Sequence, residues 1–520
     1  MHGSRIGGFL VVAAAAAASA FTASAQSDCD VGALTSPPGA LALVPPAFSA
    51  DGSVIAFVSN HDLAGGANAD GSFEVFLHDV ATGEFFQLTD SADAAFSGLS
   101  MNADGTKIAF ASDLDLDGGN FDRNSEIWLF DRGAAAITQV TATFGSGLGN
   151  VSPSLDATGM TIVFVSDESL VDGANADGNA EVIAFDVDSS AFSLVTDSAS
   201  GQVRAAVLAA DGSSVFFLSN GDLVLENADG GDELFVLDRA TGLVRQLTHD
   251  TAPGGLSRPS PSADGSLVAF SSDRDPTGDN NDLNSEAFVV DVATGEVRQA
   301  TKATGGAGSF DAALSSDGAR LALASDGNLS GRNADGNVEV FRLDLADGRI
   351  AQVTDAAGRT SRMPSTFGGG ESVGFVSTAS ADGSFQLFLA DGCVVPPLER
   401  AVPIDIMPRS RQNRIDLSSR GRVRVAILTT RVADGDAADF DAATVAPRSV
   451  RFGPAGARET KTRIRMRDVD DDGDLDQVMH FKISETGIEL GDREACLEGV
   501  TGDGAPFRGC DMVNPFRKRR

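Results

Sequence analysis

Turn glycines recur along this chain at a nearly fixed interval. "FSADGSVIAFVS" carries Gly52, "MNADGTKIAFAS" Gly105, "LDATGMTIVFVS" Gly159 and "LAADGSSVFFLS" Gly212. "PSADGSLVAFSS" carries Gly265, "LSSDGARLALAS" Gly318 and "TFGGGESVGFVS" Gly370. Successive spacings are 53, 54, 53, 53, 53 and 52 residues, which requires a repeat architecture. Each unit has a short strand ending at the Asp-Gly turn and a second, apolar strand such as "SVIAFVS". A long polar loop follows, then a third strand such as "EVFLHD", a turn such as "VATGEF" and a fourth strand ending in "QLT". Asp-Gly and Thr-Gly between short β-rich runs signal hairpins. Four antiparallel strands in a unit of about fifty residues make a propeller blade rather than a β-solenoid turn or a sandwich. The reading is an all-β protein with a seven-bladed β-propeller over residues 26–395.

The seventh unit lacks its fourth strand. It reaches "SFQLFLADG" and then leaves the pattern. "DVGALT", Asp30 to Thr35, imitates the fourth-strand sequences "FFQLT" and "VRQLT". The N-terminal strand therefore completes the last blade and covers an edge that would invite aggregation. Cys29 precedes this strand and Cys393 follows its partner, so the two are expected to be bonded.

The "FSADG…IAF.S" and "G.VRQLT" patterns resemble the TolB-like, WD40-like propeller repeats of bacterial periplasmic and secreted proteins. The resemblance spans about residues 29–395 and implies the propeller fold. TolB itself is similar to a six-bladed ring with an added α/β domain; this chain has seven units and no such domain.

The first 25 residues, "MHGSRIGGFLVVAAAAAASAFTASA", have one basic residue, Arg5, then an apolar stretch and an "ASA" ending. That is the pattern of a secretory leader, which places the mature chain outside the cytoplasm, in the periplasm or beyond. No later segment is apolar enough to span a membrane as a helix. The formal charge is −35. Residues 26–399 hold 16 basic and 54 acidic side chains, whereas residues 400–520 hold 22 and 20. Such a surface repels nucleic acid and anionic lipid and favours cations or basic partners, besides aiding solubility. His61, His78, His249 and His480 are scattered, which argues against a zinc or copper site. Tyrosine is absent and Trp128 is the sole tryptophan, which argues against a sugar-stacking platform.

The long loops also repeat: "GANADGSFEVF", "GGNFDRNSEIW", "GANADGNAEVI", "LENADGGDELF", "DNNDLNSEAF", "GRNADGNVEVF" and "TASADGSFQLF". Most follow Ser-Asn or Ser-Asp, as at Asn60, Asp113, Asp167, Asn220, Asp273 and Asp326. Six contain a glutamate: Glu74, Glu126, Glu181, Glu233, Glu286 and Glu339; the seventh has Gln386. Two readings stand. The oxygens of each loop could gather calcium, or Asn and Asp could cap turns while the glutamate accepts backbone N–H groups within its blade.

After Pro396 and Pro397 the period stops, and 396–401 reads as a linker. Residues 402–513 form a small β-rich domain with "RVRVAILTT", "SVRFG", "TRIRMRDV" and "QVMHFKI", followed by a basic tail at 514–520. The domain resembles a module appended to many bacterial exported proteins, with the pattern VPIDI-P…VAIL-T…FDA-TV…SVRFGP…DV-DGD-D…HF. Within it lies "DVDDDGDLD". Asp468, Asp470, Asp472, Asp474 and Asp476 surround Gly473 in a D-x-D-x-D-G spacing that converges carboxylates on calcium. Met479 stands where an EF-hand has its bidentate glutamate, so the motif looks like the shorter calcium loops of dockerin and integrin-type repeats. The segment "CLEGVTGDGAPFRGC" centres on Asp503, and its hairpin register puts Cys496 opposite Cys510, a second expected disulfide.

Two functions fit. One is an exported, monomeric, non-enzymatic scaffold binding a protein or cell-envelope partner. The other is a propeller enzyme, a lyase or hydrolase, with its site at the central channel. No G-x-S-x-G elbow, catalytic cysteine or His-carboxylate grouping marks an enzyme.

Overall fold

The computed structural model describes residues 3–5, 29–35, 44–116, 118–145, 147–172, 174–250, 254–304, 306–355, 358–378, 385–393, 400–410, 412–431, 439–460, 465–502 and 505–518. Most of the leader, the prolines of the linker and the hairpin centre at Asp503 lie outside the described residues. The chain divides into two compact units, Met1–Val395 and Pro396–Arg520.

In the first unit the described residues form seven antiparallel sheets, numbered here 1–7 along the chain. Sheet 3 is typical: Asn150–Leu155, Thr161–Ser166, Glu181–Asp186 and Ala191–Leu194, paired in that order. No α-helix occurs among the described residues. Sheet 2 carries a fifth strand, Gly3–Arg5, against Ala136–Gln139; it comes from the expected leader.

Second strands such as Val54–Ser59 and Thr161–Ser166 are buried at every position, because both faces of these sheets meet a neighbour. The apolar clusters show which neighbours. Val54, Val58 and Leu77 of sheet 1 pack with Phe110, Trp128 and Phe130 of sheet 2. Ala111 and Ile127 of sheet 2 pack with Phe164 and Phe185 of sheet 3. The pattern continues around to Ile55, Phe57 and Phe76 of sheet 1, which pack with Leu387 of sheet 7. Seven sheets thus share seven cores in a closed circuit, the arrangement of a β-propeller.

Backbone bonds between equivalent turns trace the same circuit. The Ala50 N–H donates to the Ala103 carbonyl (2.8 Å), Ala103 to Ala157 (3.1 Å), Ala157 to Ala210 (2.7 Å) and Ala263 to Ser316 (2.8 Å). Gly368 donates to Ala50 (3.0 Å), joining sheet 7 to sheet 1. At that seam Gly374 is required by close approach: a Cβ there would fall 1.8 Å from the Phe48 ring.

The N-terminal segment completes sheet 7. Asp30–Ala33 pairs antiparallel with Asp391 back to Phe388. Cys29 and Cys393 are disulfide-bonded, with Cα atoms 4.0 Å apart across 364 residues of chain.

The second unit has one core, from Val402 to Val513, between two main sheets. One sheet contains Glu494–Val500 and Pro506–Met512, and the other Ile404–Ile406, Arg422–Ile427, Asp476–Lys482 and Arg465–Arg467. Cys496 stands opposite Cys510 in the hairpin register and is bonded to it, Cα atoms 4.0 Å apart. The margins differ from the sequence reading. Arg400–Ala401, placed there in the linker, pairs parallel with Phe507 and Arg508. Asn514–Phe516, placed there in the basic tail, pairs parallel with Arg414–Asp416. Short strands with alternating or no apolar pattern carry no periodic signal, and their partners lie roughly a hundred residues away.

Candidate functional site

Each repeated loop leads into a third strand whose first residue is the glutamate. Glu74, Glu126, Glu181, Glu233, Glu286 and Glu339 are all at most 1% exposed. Fifteen residues after each, and two residues past the end of the fourth strand, stands a threonine: Thr89, Thr141, Thr196, Thr248, Thr301 and Thr354. Its hydroxyl donates to the glutamate Oε2 in all six sheets. The same hydroxyl oxygen accepts the N–H that follows the glutamate, as from Val75 (2.9 Å), Ile127 (2.8 Å) and Val182 (2.8 Å). The glutamate Oε1 accepts the N–H two residues beyond the threonine: Ser91 (2.7 Å), Thr143 (2.6 Å) and Ser198 (2.7 Å). In sheet 4 the buried Arg274 of sheet 5 contacts Glu233 Oε1 at 3.3 Å. Burial pushes the pKa values of Glu74, Glu126, Glu233 and Glu286 up, against the pull of these donors.

An asparagine fastens the loop itself. Asn120 Nδ2 donates to the Leu114 and Asn124 carbonyls (3.0 Å each), and Asn280 Nδ2 to those of Arg274 and Asn284 (2.9 Å each). Among the described residues no three carboxylates, histidines or cysteines of these loops converge as a metal would require. Of the two readings of the loops, the geometry favours turn capping with the glutamate bracketed by its own sheet, through the threonine and the backbone N–H groups, over calcium. The threonines were not evident as partners in the sequence, although the constant fifteen-residue interval from glutamate to threonine was there to be seen.

Sheet 7 has Gln386 in place of the glutamate. Its Nε2 donates to the Thr35 carbonyl (2.7 Å), and the Leu387 N–H donates to Thr35 Oγ1 (3.1 Å). The threonine of the last bracket thus comes from the other end of the chain.

The aspartate loop of the second unit is different. Carboxylate oxygens of Asp468, Asp470 and Asp476 all lie within 4.8 Å of one another. Asp476 starts a central strand and is fully buried; it accepts the N–H groups of Thr429 and Val469 (2.9 Å each). Asp468 accepts those of Asp471 (2.8 Å) and Gly473 (3.2 Å), shaping the turn, with Gly473 at φ +101°. Burial raises the pKa of Asp470 and Asp476, and neighbouring aspartates raise both further. Two of the five expected ligands stand outside the group. Asp474 pairs with Arg431 Nε at 2.7 Å, and Asp472 accepts the Asp474 N–H (2.8 Å). The remaining three offer hard oxygens, two from the turn and one from the start of the strand, of the kind that a calcium or similar divalent ion takes. A second cluster, Glu494 with Cys496 and Cys510, offers no thiolate because both sulfurs are bonded to each other.

One cavity, of about 440 Å³, lies between sheets 4 and 5 against His249, Asp250, Asp275 and Thr277. Its carboxylates hold backbone: Asp250 accepts the Asp275 N–H (2.9 Å) and Asp275 that of Asn280 (2.8 Å).

No family model and no curated protein matches this sequence. Among solved structures, an oligogalacturonate lyase from Vibrio parahaemolyticus is 14% identical, with a TM-score of 0.49 over 74% of this chain and 96% of that one. An oligogalacturonate lyase in complex with manganese is 16% identical, with a TM-score of 0.48 over 75% and 97%. A prolyl endopeptidase is 13% identical, with a TM-score of 0.45 over 75% and 54%. Likeness at this level carries no argument about the chemistry of this chain.

Proposed function

We propose that this chain is an exported, non-enzymatic binding scaffold: a seven-bladed, TolB-like propeller with a calcium-binding loop in its C-terminal module. The observation that carries the reading is the convergence of Asp468, Asp470 and Asp476, three carboxylates within 4.8 Å. Like charges that close repel unless a cation lies between them. Calcium would stiffen the turn that feeds the central strand Asp476–Lys482. The two disulfides suit an oxidising compartment outside the cytoplasm. The propeller's acidic loops, bracketed from within, form a rigid face for a basic protein or cell-envelope partner, and the chain acts as a monomer.

The alternative, a lyase or hydrolase at the axial channel, needs carboxylates converging from different sheets, and the cluster found among the described residues lies in the other unit instead. Melting of the full mature chain with calcium and with chelator tests the proposal. The second unit's transition rises with calcium if the reading is right and is indifferent to both if it is wrong. Capture from the native envelope, followed by an assay for lyase and hydrolase turnover, separates scaffold from enzyme.

A further inference from the structure

The first strands of the seven sheets adjoin one another around the axis, and most begin with a bulge. The pairing register slips between Val151 and Ser154, between Val203 and Ala205, and between Phe310 and Ala313. In sheet 5 Leu256 faces Ser272 whereas Ser260 faces Ala269, the same slip, with Arg258 on it. Asp311 and Met363, at this position in sheets 6 and 7, have φ of +55° and +52°. Bulges and left-handed backbone re-aim side chains and gather beside binding sites. Here they stand at the end of the ring where the long loops emerge, since strand two leaves and strand one begins at that end.

Counted from the turn glycine, the place of Arg258 is held elsewhere by Pro45, Gly98, Ser152, Ala205, Asp311 and Met363. Only sheet 5 puts a cation there. Arg258 is solvent-exposed, yet protein surrounds it closely enough to lower its guanidinium pKa by desolvation. Exposure and desolvation coexist where a side chain stands in a narrow, water-filled space, which the axis of a ring supplies. Among the described residues its guanidinium has no hydrogen-bond or ionic partner. Its neighbours are engaged: Arg204 pairs with Asp232 at 3.0 Å, Arg362 lies 5.8 Å over the Phe310 ring, and Asp311 accepts the Met363 N–H (3.2 Å). An unpaired guanidinium in so acidic a propeller has a planar fork of donors free for an oxyanion.

We propose that Arg258 anchors an oxyanion-binding site at the loop-side mouth of the axial channel, and that its ligand presents a carboxylate. A carboxylate is favoured over a phosphate because the surrounding negative charge, with Asp311 on the next sheet, penalises a dianion more than a monoanion. The site rests on the closed seven-sheet ring and is independent of the calcium loop.

Calorimetric titration of the full, disulfide-bonded mature chain at low salt, with succinate and separately with inorganic phosphate, tests it. Succinate binds saturably; Arg258→Gln weakens it about tenfold or more; Arg258→Lys, which keeps the charge without the fork, falls between. Unchanged succinate affinity in Arg258→Gln, or no binding to the wild type, overturns the site. Phosphate binding as tightly as succinate overturns the carboxylate assignment. X-ray scattering from the same sample separates the layers: a profile unlike a ring refutes the ring itself, whereas a ring profile without Arg258-dependent heat refutes the site alone.

Discussion

The repeated glutamate loops and the single aspartate loop are both acidic turns leading into a central strand, yet they meet their charge in opposite ways. Glu126 lies among donors: the Thr141 hydroxyl, the Thr143 N–H at 2.6 Å and Asn150 Nδ2 at 2.9 Å. Asp476 also accepts two N–H groups, but Asp468 and Asp470 crowd the same point. A carboxylate alone among donors is satisfied by them; three carboxylates sharing a point leave a net charge that donors cannot cancel. The first arrangement holds a fold together without help, and the second is where a cation, as proposed above, would relieve the repulsion.

The largest effect is expected from removing residues 26–36. That deletes the last strand, the Thr35 end of the seventh bracket and the Cys29–Cys393 bond. Loop-entropy models assign roughly 5 kcal/mol to a cross-link over so long a loop, and the lost strand adds to it. Denaturant unfolding should show the first unit destabilised by at least that order, with or without calcium; unchanged unfolding would break the closure account.

Next comes the bracket. Glu126→Ala leaves the Thr141 hydroxyl and the Thr143 N–H without their acceptor and opens a buried space, so a loss of about 3 kcal/mol is expected. Calcium should not alter that loss. A calcium-dependent penalty would mean that the glutamates are metal ligands after all.

How much of this could be read from the sequence depends on the distance over which each feature is encoded. The seven units and the Cys496–Cys510 bond follow from the period and from hairpin register, which are local; the N-terminal strand and the Cys29–Cys393 bond span 364 residues and were legible only because "DVGALT" imitates the fourth strand that the seventh unit lacks. The glutamates were visible, but the repetition that made them visible fitted turn, bracket and calcium site alike; only the threonine hydroxyls across the hairpin decide between them. Asp474 looked equal to its neighbours because Arg431, which takes it, lies 43 residues away. Arg258 gave no signal, since its place on the axis exists only once the ring has closed.

A smaller effect concerns pH. Asp470 and Asp476 have folded-state pKa values raised above those of the unfolded chain. The folded second unit therefore binds protons more tightly. The stability this brings is complete below the ordinary aspartate pKa, near ~4, and is lost as pH rises through the raised values. Glu126 and Glu286 act with the same sign in the propeller. Without calcium, the second unit's melting transition should fall between mildly acidic and neutral pH, and calcium should cancel that fall in the second unit alone. A second-unit transition that rises over this range in chelator would contradict the raised values.

The most direct test is the stoichiometry of calcium binding to the full mature chain, measured by titration calorimetry alongside the double variant Asp470→Asn, Asp476→Asn. The account predicts one calcium ion per chain, absent from the variant. Binding of six or seven ions, or a single ion that survives in the variant, would contradict it.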